Sequence, residues 1–423
     1  MNTLYLIYDF VFILGFIIYL PVYILRRKIT FRALKEKLGF ITRVNNPEGV
    51  IWIQVVSVGE TNLIGNLIRK LKEQSNLPLV ISTTTLTGNK IARKNYSQFA
   101  KIIFFPFDVS FIVEKVIKII KPKLFVAVET EIWPHLFRCL HKSGIPIIII
   151  NGRISKGAFS RYKLIRPLVK KVLSKCRYIG VQNEEYKQKF IFLGAENKKV
   201  ILTGNMKFEG ISVDKNILLK VQEKYSRSLK KQDKIILIAA STHSPEEEII
   251  LSVYKDIIKS VKNVVLFVAP RHPERVHLIE KIIQAEGFEP IRISQMNGYA
   301  YQTKHVLLVD TIGELLYLYD IADVCFVGGT LSNDGGHNIL EPIYFSKPTV
   351  FGPSMDNFLD IQEVVLKKGA GIKVATKNEL LQVLSMLVND RSLRENLQNR
   401  CRDVFEDEKE SLENNLQLIF KCL

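Results

Sequence analysis

Residues Phe326 to Asn357 read FVGGTLSNDGGHNILEPIYFSKPTVFGPSMDN. The apolar run Asp323 to Val327 ends in the pair Gly328 and Gly329, and a polar loop then passes Gly335 and Gly336 into a helix-like segment that begins near His337. Glycines let backbone approach an anion closely, and the free N–H groups and dipole of a helix start favour negative charge. The stretch predicts a phosphate cradle, with Glu341 about one turn into the helix and in reach of a sugar hydroxyl. Its spacing is neither G-x-G-x-x-G nor a P-loop, so the dinucleotide and NTP-hydrolase fingerprints are absent. Glycine pairs between a strand and a helix also serve turn geometry alone.

Outward from this loop the chain alternates strand and helix. Apolar runs at Val50 to Val56, Leu79 to Ser82, Ile102 to Phe105, Leu124 to Val128, Ile145 to Ile150 and Tyr178 to Val181 predict a first parallel sheet covered on both faces. A second series follows at Lys234 to Ala239, Val264 to Ala269, Val306 to Val309, Asp323 to Val327 and Pro348 to Phe351. The expected organisation is an N-terminal Rossmann-like lobe over 29–213, a charged surface helix and linker over 214–233, a second lobe over 234–385 and a polar helical tail over 386–423. Ligands of such lobes bind outside the carboxyl ends of the strands, and with two lobes the expected site is the cleft between them.

With 423 residues, 47% of them hydrophobic, the chain is long enough for two domains with substantial cores. Its formal charge of +18 calls for an anionic partner: nucleic acid, an anionic membrane or a phosphorylated substrate. Aromatic residues are not interleaved with the basic runs, which argues against nucleic acid. The five cysteines show no C-x-x-C spacing, so neither a zinc site nor a disulfide framework is encoded. Leu4 to Leu25 is apolar except for Asp9 and is followed at once by Arg26, Arg27, Lys28, Arg32, Lys35 and Lys37. That pattern predicts a membrane anchor over 1–28 with the rest of the chain cytoplasmic; a helix lying in one leaflet is the alternative.

Polar and charged groups collect at the predicted strand ends. "VVSVGE" ends a strand and starts a helix, so Glu60 projects from the turn; a carboxylate in a first helical turn also serves capping alone. "VETEIWP" puts Glu129 and Glu131 at another strand mouth. "TGNMKF" supplies Lys207, and Ser241 to His243, Pro270 to His272 and Asp310 to Leu315 follow strands of the second lobe. No D-x-D occurs in the chain, so a metal-bridged nucleotide-sugar site has no obvious ligands.

The ordered motifs SVGE, ETEIWP, NGRIS, TGNMKF, STHSPEEE, PRHPER, DTIGEL and GGTLSNDGGHNILEP resemble those of the 3-deoxy-D-manno-octulosonic acid (Kdo) transferases of lipopolysaccharide synthesis. The resemblance covers nearly the whole chain. It implies a GT-B fold, CMP-Kdo as donor, a phosphorylated lipid A precursor (lipid IVA) as acceptor, inversion at the anomeric carbon, no metal or other cofactor, and an anionic inner-membrane surface as a further partner. It implies that Glu60 is the general base, that Glu129 and Lys207 stabilise the transition state, and that Pro270, Arg271, Ile312, Gly313, Glu314, Asn338, Ile339, Leu340 and Glu341 hold CMP. Departures from the family pattern are small: Pro245 stands in the STHSPEEE loop, and Gln54 precedes SVGE. A nucleotide-sugar epimerase of the same architecture and a non-catalytic, membrane-tethered anion-binding protein are the competing expectations.

Overall fold

The computed structural model describes residues 8, 15, 30–44, 46–211, 213–229, 234–296, 302, 304–406 and 410–423. The chain forms two units, Met1–Gly210 with Glu408–Leu423, and Ile211–Asp407.

The first unit is built on seven parallel strands: β1 (Val50–Val55), β2 (Leu79–Thr83), β3 (Ala100–Phe104), β4 (Pro122–Val128), β5 (Ile147–Gly152), β6 (Tyr178–Val181) and β7 (Val200–Leu202). They lie in the order β3-β2-β1-β4-β5-β6-β7. Near-continuous apolar runs form these strands because both faces are covered. In β1, Val50 and Trp52 enter one core and Ile51, Ile53 and Val55 the other. β4 sorts Phe125 and Ala127 from Leu124, Val126 and Val128 in the same way. Each such side chain taken fully out of water contributes roughly 1.5–3 kcal/mol. The winding direction reverses between β1 and β4, which pair in register Ile53 to Val126, and the crevice that forms at such a switch point opens at their carboxyl ends.

The second unit repeats the plan with β8 (Ile235–Thr242), β9 (Val264–Pro270), β10 (Glu289–Arg292), β11 (His305–Leu308), β12 (Val324–Val327), β13 (Thr349–Phe351) and β14 (Gly371–Lys373). Their order is β10-β11-β9-β8-β12-β13-β14, with the switch between β8 and β12. Leu237 and Ala239 face one core; Ile236, Ile238 and Ala240 face the other. The expected pair of Rossmann-like, parallel-sheet lobes, consistent with a GT-B enzyme, is present.

The structure departs from expectation in two helical regions. The charged stretch after residue 213 forms the helix Lys215–Leu229, which does not merely ride on the surface: Val221, Tyr225 and Leu229 are buried in the second core, with Tyr225 edge-on to Phe267 at 5.7 Å. The C-terminal region is not one polar tail either. The helix Lys377–Asn389 buries Leu380, Leu384 and Leu387 in the second unit, whereas Ser411–Phe420 buries Leu412, Leu416 and Ile419 in the first. Helical spacing of a few leucines outweighs the charged composition around them. The proposed anchor over 1–28 lies, apart from Tyr8 and Gly15, outside the described residues. Among the described residues no helix is long and apolar enough to cross a membrane.

Candidate functional site

In the first unit three carboxylates converge at the switch point. Ser57 caps the short helix Val58–Leu63: its Oγ accepts from Glu60 N at 3.2 Å, and Glu60 reaches back to accept from Val56 N at 2.7 Å and from Ser57 Oγ at 3.0 Å. This reciprocal capping box fixes the Glu60 carboxyl at the mouth of β1. Across the switch, Glu129 follows β4 with φ of 61°, a left-handed backbone uncommon for a residue with a Cβ. Arg153, beyond β5, lies 3.5 Å from its carboxylate. Trp133 Nε1 donates to Glu131 at 2.8 Å.

These groups act on one another electrostatically. Burial, and next the charge of Glu129, raise Glu60 to about 7 despite the stabilising donors of Val56 and Ser57. Burial and then Glu60 raise Glu131 to about 8, against hydrogen bonds from Trp133 and Gln54. For a carboxylate at a helix start the dipole and the neighbouring charges oppose each other, and here desolvation decides the sign. The hydroxyl of Tyr162, from the helix Lys156–Leu164, is also raised, by burial first and by Glu131 second.

Lys207 sits in the 3-10 turn Met206–Glu209, where Asn205 Oδ1 accepts from its N–H at 3.1 Å. The turn is tied to β5 by Asn151, whose Oδ1 accepts from Met206 N at 2.9 Å. Asn151 is in turn held by Asn415 of the C-terminal helix, which accepts from its N–H at 3.1 Å.

In the second unit the glycine loop departs from the expected cradle. Its N–H groups are already satisfied by Glu246, a side chain with no exposed surface. Gly329 N donates to it at 2.7 Å, Thr330 N at 3.0 Å, Leu331 N at 2.8 Å and Ser332 N at 3.3 Å, and His243 N adds a fifth donor at 3.0 Å. The nest is real, but a carboxylate of this chain fills it. Gly328 is required there, since a Cβ would lie 2.6 Å from the Glu246 carboxylate. The helix expected near His337 begins at Leu340 and is short, Leu340–Tyr344, with Asn338 Oδ1 accepting from Leu340 N at 3.1 Å.

The remaining second-unit candidates surround this loop. Pro270 ends β9, and Arg271 N donates to Thr242 O at 3.1 Å, which leaves the guanidinium at the carboxyl edge of the sheet. Asn338 Nδ2 donates to Glu341 at 3.2 Å; burial raises the Glu341 carboxyl, and Asn338 and Arg271 oppose the shift. Ile312 is 89% exposed, an apolar side chain left in water, and is followed by Gly313 at φ of 93°. Thr311 Oγ1 and Glu314 Oε2 are buried without a hydrogen-bond partner. Thr311 and Glu314 thus offer hydrogen-bonding capacity beside an exposed apolar side chain, a combination that suits a ligand with a flat face and polar edges.

Sequence reasoning missed the roles of Glu246, Arg153, Asn151 and Gln54. Gln54 is fully buried, donates to Thr84 Oγ1 at 3.1 Å, accepts from Ser82 Oγ and meets the Glu131 carboxyl. A polar residue inside an otherwise apolar strand was the readable signal. Glu131→Gln should stabilise the protein at alkaline pH. The folded-state value lies above the ordinary carboxyl value of 4.5, so the parent loses stability as pH rises from there to about 8 and no further above it. The variant escapes a loss of up to about 5 kcal/mol. Urea unfolding at acid and alkaline pH measures it, and a gain equal at both would mean that ionisation of a buried Glu131 is not the cause.

Residues 32–210 match the family model described as 3-Deoxy-D-manno-octulosonic-acid transferase (kdotransferase). The 3-deoxy-D-manno-octulosonic acid transferase of Haemophilus influenzae is 32% identical over 392 residues, which is 92% of this chain and 91% of that one. A bifunctional glycosyltransferase/methyltransferase of Fusobacterium nucleatum is 37% identical over 353 residues, 83% of this chain and 54% of its own, so this chain spans about half the length of that relative. Among solved structures, the UDP-GlcNAc 2-epimerase of Neisseria meningitidis has a TM-score of 0.55 at 13% identity, covering 88% of this chain and 99% of that one, which is a likeness of fold. With sequence similarity along nearly the whole length of an established transferase, the chain belongs to the family of 3-deoxy-D-manno-octulosonic acid transferases and is a glycosyltransferase.

Proposed function

We propose that this glycosyltransferase moves Kdo from CMP-Kdo to a phosphorylated lipid A precursor, lipid IVA, in lipopolysaccharide synthesis, with inversion and without a metal. The observation that carries the reading is the carboxyl of Glu60, fixed by its capping box and raised to about 7, where a base accepts a proton well and is still substantially ionised near neutral pH. In this reading Glu60 takes the proton of the acceptor hydroxyl, and Glu129 and Lys207 stabilise the charge that develops as the bond to the donor loosens. Arg271 answers the CMP phosphate, Ile312 covers a flat face of the nucleotide, and Gly313 lets its backbone approach. Pro270 and Arg271, Glu314 with its unpaired Oε2, and Asn338 to Glu341 complete the donor pocket.

The excess of basic residues, together with the apolar stretch in 1–28, supports an inner-membrane anchor with the catalytic part on the cytoplasmic side. Incubating the full chain with CMP-Kdo and detergent-dispersed lipid IVA should release CMP and add the mass of Kdo to the lipid. Turnover should persist in EDTA, since the chain has no D-x-D to bridge a metal to the donor. Arg271→Ala should raise the KM for the donor by about 10- to 100-fold, as expected for a lost charge-assisted contact to phosphate. No CMP release, or release that requires Mg²⁺, would overturn the corresponding part of the assignment.

A further inference from the structure

Glu246 takes the amides of Gly329 to Ser332, and beside Arg271 stands a further group that can meet a phosphate. His243 follows β8 and His337 follows the glycine loop, on the two sides of the switch point. Their Nε2 atoms are 2.8 Å apart, and the two rings lie end to end, with centroids 5.0 Å apart and planes within 16° of each other. His272 approaches His243 edge-on at 5.5 Å, and Asp334 lies 3.5 Å from His243 Nδ1. His337 rests on Gly329, where a Cβ would come within 2.8 Å of its ring. Arg271 acts on His337 from the end of β9.

Two imidazole nitrogens at this distance must have one proton between them, since two lone pairs repel and two N–H groups clash. Asp334, 3.5 Å from His243 Nδ1, favours the tautomer with its proton on that nitrogen. His243 Nε2 then either accepts from His337 or, when His243 is charged, donates to it. Burial, Arg271 and His243 hold His337 down to about 4, so a proton gained by the pair does not rest on His337.

We propose that His243 and His337 form a single proton-holding unit that meets the phosphate of the CMP leaving group and gives it a proton as it departs. The inference rests on the donor assignment above. In the donor the phosphate is a diester with one negative charge. When the bond from the anomeric carbon to phosphate oxygen breaks, the electron pair stays on that oxygen, and CMP would leave with a second charge. The proton passes from His243 to that oxygen, leaving the pair neutral and CMP a monoanion; the acceptor oxygen supplies the new bond at carbon, and its own proton goes to Glu60. Glu246 is the positioning residue of the unit, because it fixes His243 N and Gly329 N with one carboxylate.

The test is calorimetric titration of the full chain with CMP near neutral pH, in buffers of different ionisation enthalpy. The CMP phosphate has its second pKa near 6, so it binds largely as a dianion and should draw roughly one proton onto the parent protein. His243→Gln and His337→Gln should each abolish that uptake while binding CMP within about tenfold of the parent, and should lower kcat by about 10². A fold-related loss would lower CMP affinity and leave proton uptake per CMP bound unchanged, and that result would overturn the role given to the pair. If parent and variants all bind CMP without proton uptake, the pair's role falls and the donor assignment stands. If the parent binds no CMP, the donor assignment falls and takes this inference with it.

Discussion

Glu60→Gln should lower Kdo transfer by about 10² to 10⁴ and leave CMP binding nearly intact. Glutamine is close in size and keeps a carbonyl oxygen for Val56 N, while Ser57 Oγ can turn to accept from its amide, so the capping box and the helix Val58–Leu63 survive. What the variant cannot do is take a proton. The parent rate should rise with pH through about 7 as the Glu60 carboxyl ionises, and the variant should lose that rise. Glu129→Gln should move the midpoint of the parent profile downward, because Glu129 is the charge that, after burial, raises Glu60. Glu60→Asp should recover only part of the rate, since its shorter arm draws the carboxyl back towards β1. Steady-state kinetics against pH, with calorimetry for CMP, separates these outcomes. A Glu60→Gln enzyme that works at near the parental rate would reduce Glu60 to a capping residue and move the search for the base to Glu129 and Glu131.

Glu246→Ala should destabilise the second unit by about 3 kcal/mol or more, because it leaves the N–H groups of Gly329, Thr330, Leu331, Ser332 and His243 without their acceptor in a site closed to solvent. Glu246→Gln should do less damage: it keeps one carbonyl oxygen but turns an amide N–H₂ towards donors. Urea unfolding of the full chain reads both. Acetate should recover part of the loss in Glu246→Ala and none in the parent, since a small carboxylate fits the space that the side chain vacates. An alanine variant within about 0.5 kcal/mol of the parent would mean that water satisfies the loop as well as Glu246 does.

The strands were legible because strands buried on both faces are apolar at nearly every position: 264–269 is apolar throughout, and Gln54 is the one polar residue of 50–56. The Glu60 capping box was legible too, since Ser57 and Glu60 stand at the spacing that closes it. The occupant of the glycine loop was not: Glu246 lies 83 residues before Gly329, and nothing in either segment announces the other. A nest of amides is the same in sequence whether it awaits a ligand or holds a side chain. In the stretch 214–233 the positions Val221, Tyr225 and Leu229 repeat at helical spacing, and the charged residues between them hid a buried stripe. Leu412, Leu416 and Ile419 show the same spacing, but periodicity identifies an apolar face without naming the core that receives it.

That last helix has a consequence for how the protein is made. Synthesis delivers domains from the amino end, and a domain ordinarily closes once its own residues have left the ribosome. Here the first unit waits. Its core lacks Leu412, Leu416 and Ile419, and Asn151 lacks the side chain of Asn415, until translation has passed through the whole second unit and reached Ser411–Phe420. Protein translated from a message that stops after Asp407 would therefore carry its defect at the opposite end of the gene product, in the lobe completed last although it was begun first.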